Sequence, residues 1–90
     1  MQESRYFLVS GRVQGVCFRA ATRDMARALG LCGWVRNRND GKVEGEATGH
    51  AAALSEFRDW LEHGPAAASV DRVVFESTRV DDTGSTFVVR

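Results

Sequence analysis

Apolar and polar residues alternate from residue 5 to residue 13, with Phe7, Val9, Gly11 and Val13 on one side of an extended chain. Between residues 18 and 29 the period lengthens. Phe18, Thr22, Met25, Ala26 and Leu29 fall on one helical stripe, and Gly30 is placed to stop it. Residues 32–38 read as a second strand, with Gly33, Val35 and Asn37 sharing a face. Asn39-Asp40-Gly41-Lys42 has the chemistry of a tight hairpin turn, because Asn, Asp and Gly tolerate left-handed backbone. In residues 43–49, Val43, Gly45, Ala47 and Gly49 stand opposite Glu44, Glu46 and Thr48, the pattern of a half-buried antiparallel strand whose two glutamates face solvent. A second helix over residues 51–63 presents Leu54, Phe57, Trp60 and Leu61, and Gly64-Pro65 ends it. Residues 70–79 give a fourth strand, 81–85 a turn and 86–90 a short final strand.

Each helix carries a single apolar stripe, so both should pack on one face of an antiparallel sheet. The order βαββαβ plus a short C-terminal strand predicts an α+β fold, a ferredoxin-like split-βαβ sandwich. That architecture hosts RNA binders, regulatory modules and enzymes alike, so it leaves the function open.

Ninety residues suit one domain, residues 1–90, since neither half could bury a core of its own. At 43% hydrophobic and 27% charged, with one proline, the composition is that of a soluble globular protein. No apolar run approaches the roughly 20 residues of a membrane span, and no secretory signal precedes the first strand. Two cysteines, Cys17 and Cys32, are too few for a disulfide scaffold. The expectation is a cytoplasmic monomer with reduced thiols and no membrane partner.

Net charge is zero, with 12 basic and 12 acidic residues, which argues against general nucleic-acid binding. The distribution is uneven. Arg12, Arg19, Arg23, Arg27, Arg36 and Arg38 precede residue 39 with Asp24 as the one acid among them, whereas residues 40–62 carry six acids against Lys42 and Arg58. Two solvated faces account for most of this; a local positive field favouring an anionic ligand is the alternative.

The stretch GRVQGVCFR, residues 11–19, joins the first strand to the first helix. At such a junction the leading helix N–H groups lack intrahelical partners and the helix dipole is positive. Gly15 allows a sharp turn and close approach of a ligand to backbone. The amides of Gly15, Val16, Cys17, Phe18 and Arg19 can then cradle a phosphate, with the Arg19 guanidinium as a bidentate clamp. The alternative is an ordinary strand-to-helix loop bearing a surface arginine. Cys17 stands six residues before Arg23, the spacing of cysteine-dependent phosphatases. The intervening residues carry the helical stripe and lack glycine, so Cys17 is read as a small packed side chain and not a nucleophile. Asn37 ends its strand either as a turn residue or as a carboxamide able to orient a water.

At these positions the chain resembles the acylphosphatase family. Residues 9–19, VSGRVQGVCFR, are similar to its first signature, and Gly33-Trp34-Val35-Arg36-Asn37 with Gly41, Val43 and Gly49 to its second. The resemblance covers essentially the whole chain and is strongest over residues 5–49. It implies the same sandwich, and cleavage of the carboxyl–phosphate bond of acyl phosphates to a carboxylate and inorganic phosphate. It implies no metal and no organic cofactor. It gives Arg19 the phosphate-binding role, Asn37 the water-positioning role and the amides of residues 15–19 the cradle. Arg38 departs from the small or neutral residue of some relatives, a change that bears on pH dependence and substrate charge preference.

Two other functions fit this fold. One is a non-catalytic phosphate-binding regulatory module, against which Asn37 speaks, since holding phosphate needs no water-positioning amide. The other is a carbamoyl-phosphate-processing domain of a larger maturation protein, against which the absence of a linker speaks. Trp34 and Trp60 are expected to pack and not to stack on bases, because residues 42–49 hold no aromatic. His50 and His63 have no ligand partner at metal-binding spacing.

Overall fold

The computed structural model describes residues 2–80 and 84–90. Residues 81–83, where a turn is expected, lie outside the described residues. Five strands and two helices follow in the order β1 (Glu3–Arg12), α1 (Phe18–Ala28), β2 (Cys32–Asn37), β3 (Val43–Gly49), α2 (Ala51–Leu61), β4 (Ser69–Thr78) and β5 (Phe87–Val89).

The sheet order is β4-β1-β3-β2-β5. The first four strands pair antiparallel, as the alternation predicts. The last does not: β5 runs parallel to β2, with Gly33 opposite Phe87 and Val35 opposite Val89. A three-residue edge strand has too little pattern to set its direction, and the sheet is therefore mixed. A register shift at Ser10/Gly11 bends the end of β1 just before the loop to α1.

Alternation puts Phe7, Val9, Val35, Val43 and Ala47 under the helices, where they meet Phe18 and Ala26 of α1 and Leu54, Phe57 and Leu61 of α2. Phe57 packs edge-on against Phe7, with centroids 5.4 Å apart, and against Phe87 at 6.0 Å. Gly45 lies opposite Phe7 in the β1–β3 register, and a Cβ there would strike the Phe7 ring and the carbonyl of Trp34. The missing side chain is thus what seats the ring. Trp60 packs on Phe18 at 5.8 Å, as a packing residue should.

Candidate functional site

The loop from β1 to α1 makes two left-handed steps, at Gly15 (φ 73°) and at Cys17 (φ 61°). Left-handed residues in a tight turn swing successive N–H groups toward one concavity. The Ala21 N–H makes a 3.0 Å bond to the Cys17 carbonyl, so the amides of Phe18, Arg19 and Ala20 have no intrahelical acceptor. Neither a capping side chain nor an acidic residue occupies the first turn of α1. The positive end of this helix is open to an anion.

Cys17 differs from expectation. It is exposed, and it is the N-cap residue of α1 in a conformation that non-glycine residues seldom adopt. Its contribution is backbone shape, with no packing of the thiol. Val16 turns inward against the core instead.

Asn37 ends β2 opposite Val43. It lines one cavity of about 430 Å³ together with Val13, Gly15, Cys17, Phe18, Arg19, Ala20, Arg23 and Val89. Two residues 18 positions apart in sequence are thereby brought to one site, because α1 packs along β2 and β5. Arg19 is half-buried, and its Nη1 lies 3.5 Å from the Arg90 carbonyl, a weak contact that leaves donors free for a ligand. Gln14 ties the loop to the β2–β3 hairpin by donating to the carbonyls of Arg38 (2.8 Å) and Lys42 (3.0 Å).

Three cavity residues carry no functional signal in the sequence. Val13 and Ala20 read as ordinary strand and helix positions, and Val89 joins only because β5 lies beside β2. Arg23 did have a signal, its place one turn after Arg19, but it was grouped with the solvated arginines.

The opposite face of the sheet corrects one further expectation. Glu44 does not face solvent; it is 7% exposed. Its carboxylate accepts from the Tyr6 hydroxyl (2.7 Å), from Arg36 Nε (2.7 Å) and from Arg38 Nη1 (3.3 Å). Tyr6 on β1 and Arg36 on β2 flank Glu44 from the neighbouring strands, a cross-strand arrangement that alternation within β3 alone cannot reveal. Burial pushes the Glu44 carboxyl up, but these hydrogen bonds and the two guanidinium charges outweigh it and hold it below the usual carboxylate range. Burial and the adjacent carboxylate raise the Tyr6 hydroxyl. Arg38 also pairs with Asp40 at 3.1 Å. Trp34 packs outside the core cluster, with the guanidinium groups of Arg36 (5.2 Å) and Arg90 (4.7 Å) over its ring.

A second depression, about 630 Å³, adjoins the first through Asn37 and is lined by Arg36, Arg38, Asn39, Asp40 and Glu44. Its two cations are matched by two anions, whereas the first cavity holds two arginines and no acid among its lining residues. The uncompensated positive charge lies in the cavity at the α1 N-terminus.

Comparison with known proteins identifies the family. The family profile described as Acylphosphatase matches residues 5–89. An acylphosphatase of Synechococcus sp. (strain CC9311) is 52% identical over 80 residues, covering 89% of each chain. One from Xanthomonas oryzae pv. oryzae (strain MAFF 311018) is 56% identical over 73 residues, covering 81% of this chain and 82% of that one. The solved structure of an acylphosphatase from Coxiella burnetii superposes with a TM-score of 0.95 at 40% identity, covering 99% of this chain and 93% of that one. With the profile spanning nearly all of the sequence and relatives matching along most of both lengths, the chain belongs to the acylphosphatase family.

Proposed function

We propose that this acylphosphatase-family hydrolase binds the phosphoryl group of an acyl phosphate in the cradle of residues 15–19, clamps it with Arg19 and hydrolyses it with a water oriented by Asn37. The observation that carries this reading is that Arg19 and Asn37 line one cavity with the left-handed loop. The open amides and two or more guanidinium N–H groups match the equatorial oxygens of a phosphoryl group in flight. The Asn37 carboxamide can accept from a water and hold it opposite the leaving group. The water oxygen attacks phosphorus, the bond from phosphorus to the carboxyl oxygen breaks, and the carboxylate leaves with that electron pair. A carboxylate is a good leaving group and needs no general acid. The water's proton passes to a non-bridging phosphate oxygen, so the products are a carboxylate and inorganic phosphate.

Hydrolysis of benzoyl phosphate in the presence of EDTA tests this. Arg19→Ala and Asn37→Ala should each lose at least about a hundredfold in kcat/KM, as removal of single charge-stabilising or positioning groups does. Inhibition by inorganic phosphate should weaken mainly in the arginine variant. Cys17→Ser should stay active, since only its backbone is used; loss of turnover there would replace this mechanism with a phosphocysteine route. Phosphate binding by a wild-type protein without turnover would make the chain a binding module.

The same reading takes the protein as a monomer in the cytoplasm. Its two cysteines are unbridged, as in a reducing compartment, and no helix among the described residues is long and apolar enough to cross a membrane. Sedimentation equilibrium at micromolar concentration checks the first point and cell fractionation the second.

A further inference from the structure

Arg19, Arg23 and Arg27 recur every four residues and so lie along one side of α1. The outer two reach the chain beyond the helix: Arg27 Nε donates to the Phe87 carbonyl at 3.0 Å, and Arg19 makes its weak 3.5 Å contact with the Arg90 carbonyl. Arg23, between them, makes neither contact. Its Nε meets the carboxylate of Asp24, the next residue, at 3.0 Å, and the side chains are 35% and 68% exposed. A pair so open to water is worth little and is readily exchanged.

Arg23 nevertheless lines the cavity that holds Arg19 and Asn37. That cavity, about 430 Å³, is far larger than a phosphoryl group requires, since a water claims only about 30 Å³ and the group displaces a few of them. The remaining space is where the acyl part of a substrate has to go. Ala20 and Val89, small and apolar, line it, and Arg23 stands four residues along the helix from Arg19, a rise of about 6 Å. The adjoining depression offers no equivalent, because Arg36 and Arg38 are already held by Glu44 and Asp40.

We infer that Arg23 is a specificity-determining residue that receives a carboxylate on the acyl chain of the substrate, so that the site favours acyl phosphates bearing a second negative charge about one helical turn from phosphorus. With Nε bonded to Asp24 Oδ1, the Arg23 guanidinium still has the N–H groups of its two terminal nitrogens, enough for one carboxylate. This assignment rests on the reading of the residue 15–19 cradle as the phosphoryl site.

The test compares kcat/KM for 3-carboxybenzoyl phosphate with that for its uncharged isostere, 3-carbamoylbenzoyl phosphate. At low ionic strength the wild type should favour the carboxylate by about fivefold, in line with one partly exposed ion pair. The preference should fall to near unity in Arg23→Gln, survive in part in Arg23→Lys and reverse in Arg23→Glu. In the wild type 0.5 M NaCl should erode it. Because both substrates are measured on the same preparation, a loss of folded protein cancels from the ratio. An unchanged ratio in Arg23→Gln, or no preference in the wild type, overturns the assignment while leaving the cradle's role intact. Failure of the wild type to hydrolyse either substrate overturns the cradle reading, and the assignment with it.

Discussion

Gln14 Nε2 lies 2.8 Å from the carbonyl oxygen of Arg38 and 3.0 Å from that of Lys42, so the loop between β1 and α1 holds both sides of the hairpin next to Asn37. The Lys42 oxygen also accepts the Arg38 N–H at 2.8 Å, which makes the Gln14 amide a third member of the hairpin's closing bonds. The proposed cradle and Asn37 come from segments with no covalent reason to keep a fixed distance. Gln14 supplies that reason.

Replacing Gln14 with Glu puts an acceptor-only carboxylate against two carbonyls, and replacing it with Ala removes the tie. In both variants kcat should drop by about tenfold or more, as expected when a reacting water is misplaced by a fraction of an ångström. Inhibition by inorganic phosphate should move by less than about threefold, because the loop and Arg19 remain. Steady-state kinetics with phosphate as product inhibitor check this split. Equal losses in phosphate binding and kcat would instead mean that Gln14 shapes the cradle itself.

The Glu44 network predicts a pH effect on stability. Glu44 titrates below the usual carboxylate range in the folded protein, so in acid the unfolded chain binds more protons than the folded one. The stabilisation is therefore present above the ordinary carboxylate pKa and is lost as pH falls through the lowered folded value. Glu44→Gln should cost about 1–2 kcal/mol at neutral pH, discounted for the exposure of Arg36 and Arg38. The difference from wild type should shrink as pH falls below about 4. Urea titrations between pH 3 and pH 7 measure it, and a gap independent of pH would assign the loss to packing. Tyr6 acts with the opposite sign: its raised value makes its contribution complete below the ordinary tyrosine range and lost as pH climbs through the folded value.

The inward faces of β1, β2, β3 and both helices were legible because one side of each meets a single core, and that is what periodicity reports. Arg19, Asn37 and the glycine turn were legible as well, since a loop before a helix has open amides whatever lies around it. The burial of Glu44 was not. Its surroundings are set by Tyr6 and Arg36 on neighbouring strands, and an alternating polar position looks the same whether it meets water or a guanidinium. Cys17 misled for another reason: a small apolar side chain suggests packing, but its place was fixed by backbone handedness. The direction of β5 could not be read from three residues that pair only at an edge.

The left-handed backbone at Cys17 predicts how that position tolerates substitution. A non-glycine residue there costs about 1–2 kcal/mol, and the exposed thiol gains nothing in packing to offset it. Cys17→Gly removes the strain but loosens the unfolded chain by about 0.5–1 kcal/mol, so it should be neutral or up to about 1 kcal/mol stabilising. Cys17→Val, branched at Cβ, should destabilise by more than about 1 kcal/mol. Thermal melts of the two variants decide the point. A valine variant as stable as the glycine one would show that the loop readily adopts another conformation.

Thr22 offers a test of a different kind, on the buried side of α1. The residue is completely buried, and among the described residues its Oγ1 finds no hydrogen-bond partner. A buried hydroxyl without a partner costs about 1–3 kcal/mol relative to an apolar group of the same shape. Valine has that shape, and its helix propensity is close to that of threonine. Thr22→Val should therefore raise stability by about 1 kcal/mol, which for a domain of this size moves the melting temperature up by about 4–8 °C. Thr22→Ser keeps the hydroxyl and deletes the methyl, so it should destabilise by about 1 kcal/mol through the lost burial and the space left behind. A destabilised valine variant would mean that the hydroxyl back-bonds within the helix to the Phe18 carbonyl, the alternative that threonine has at this position.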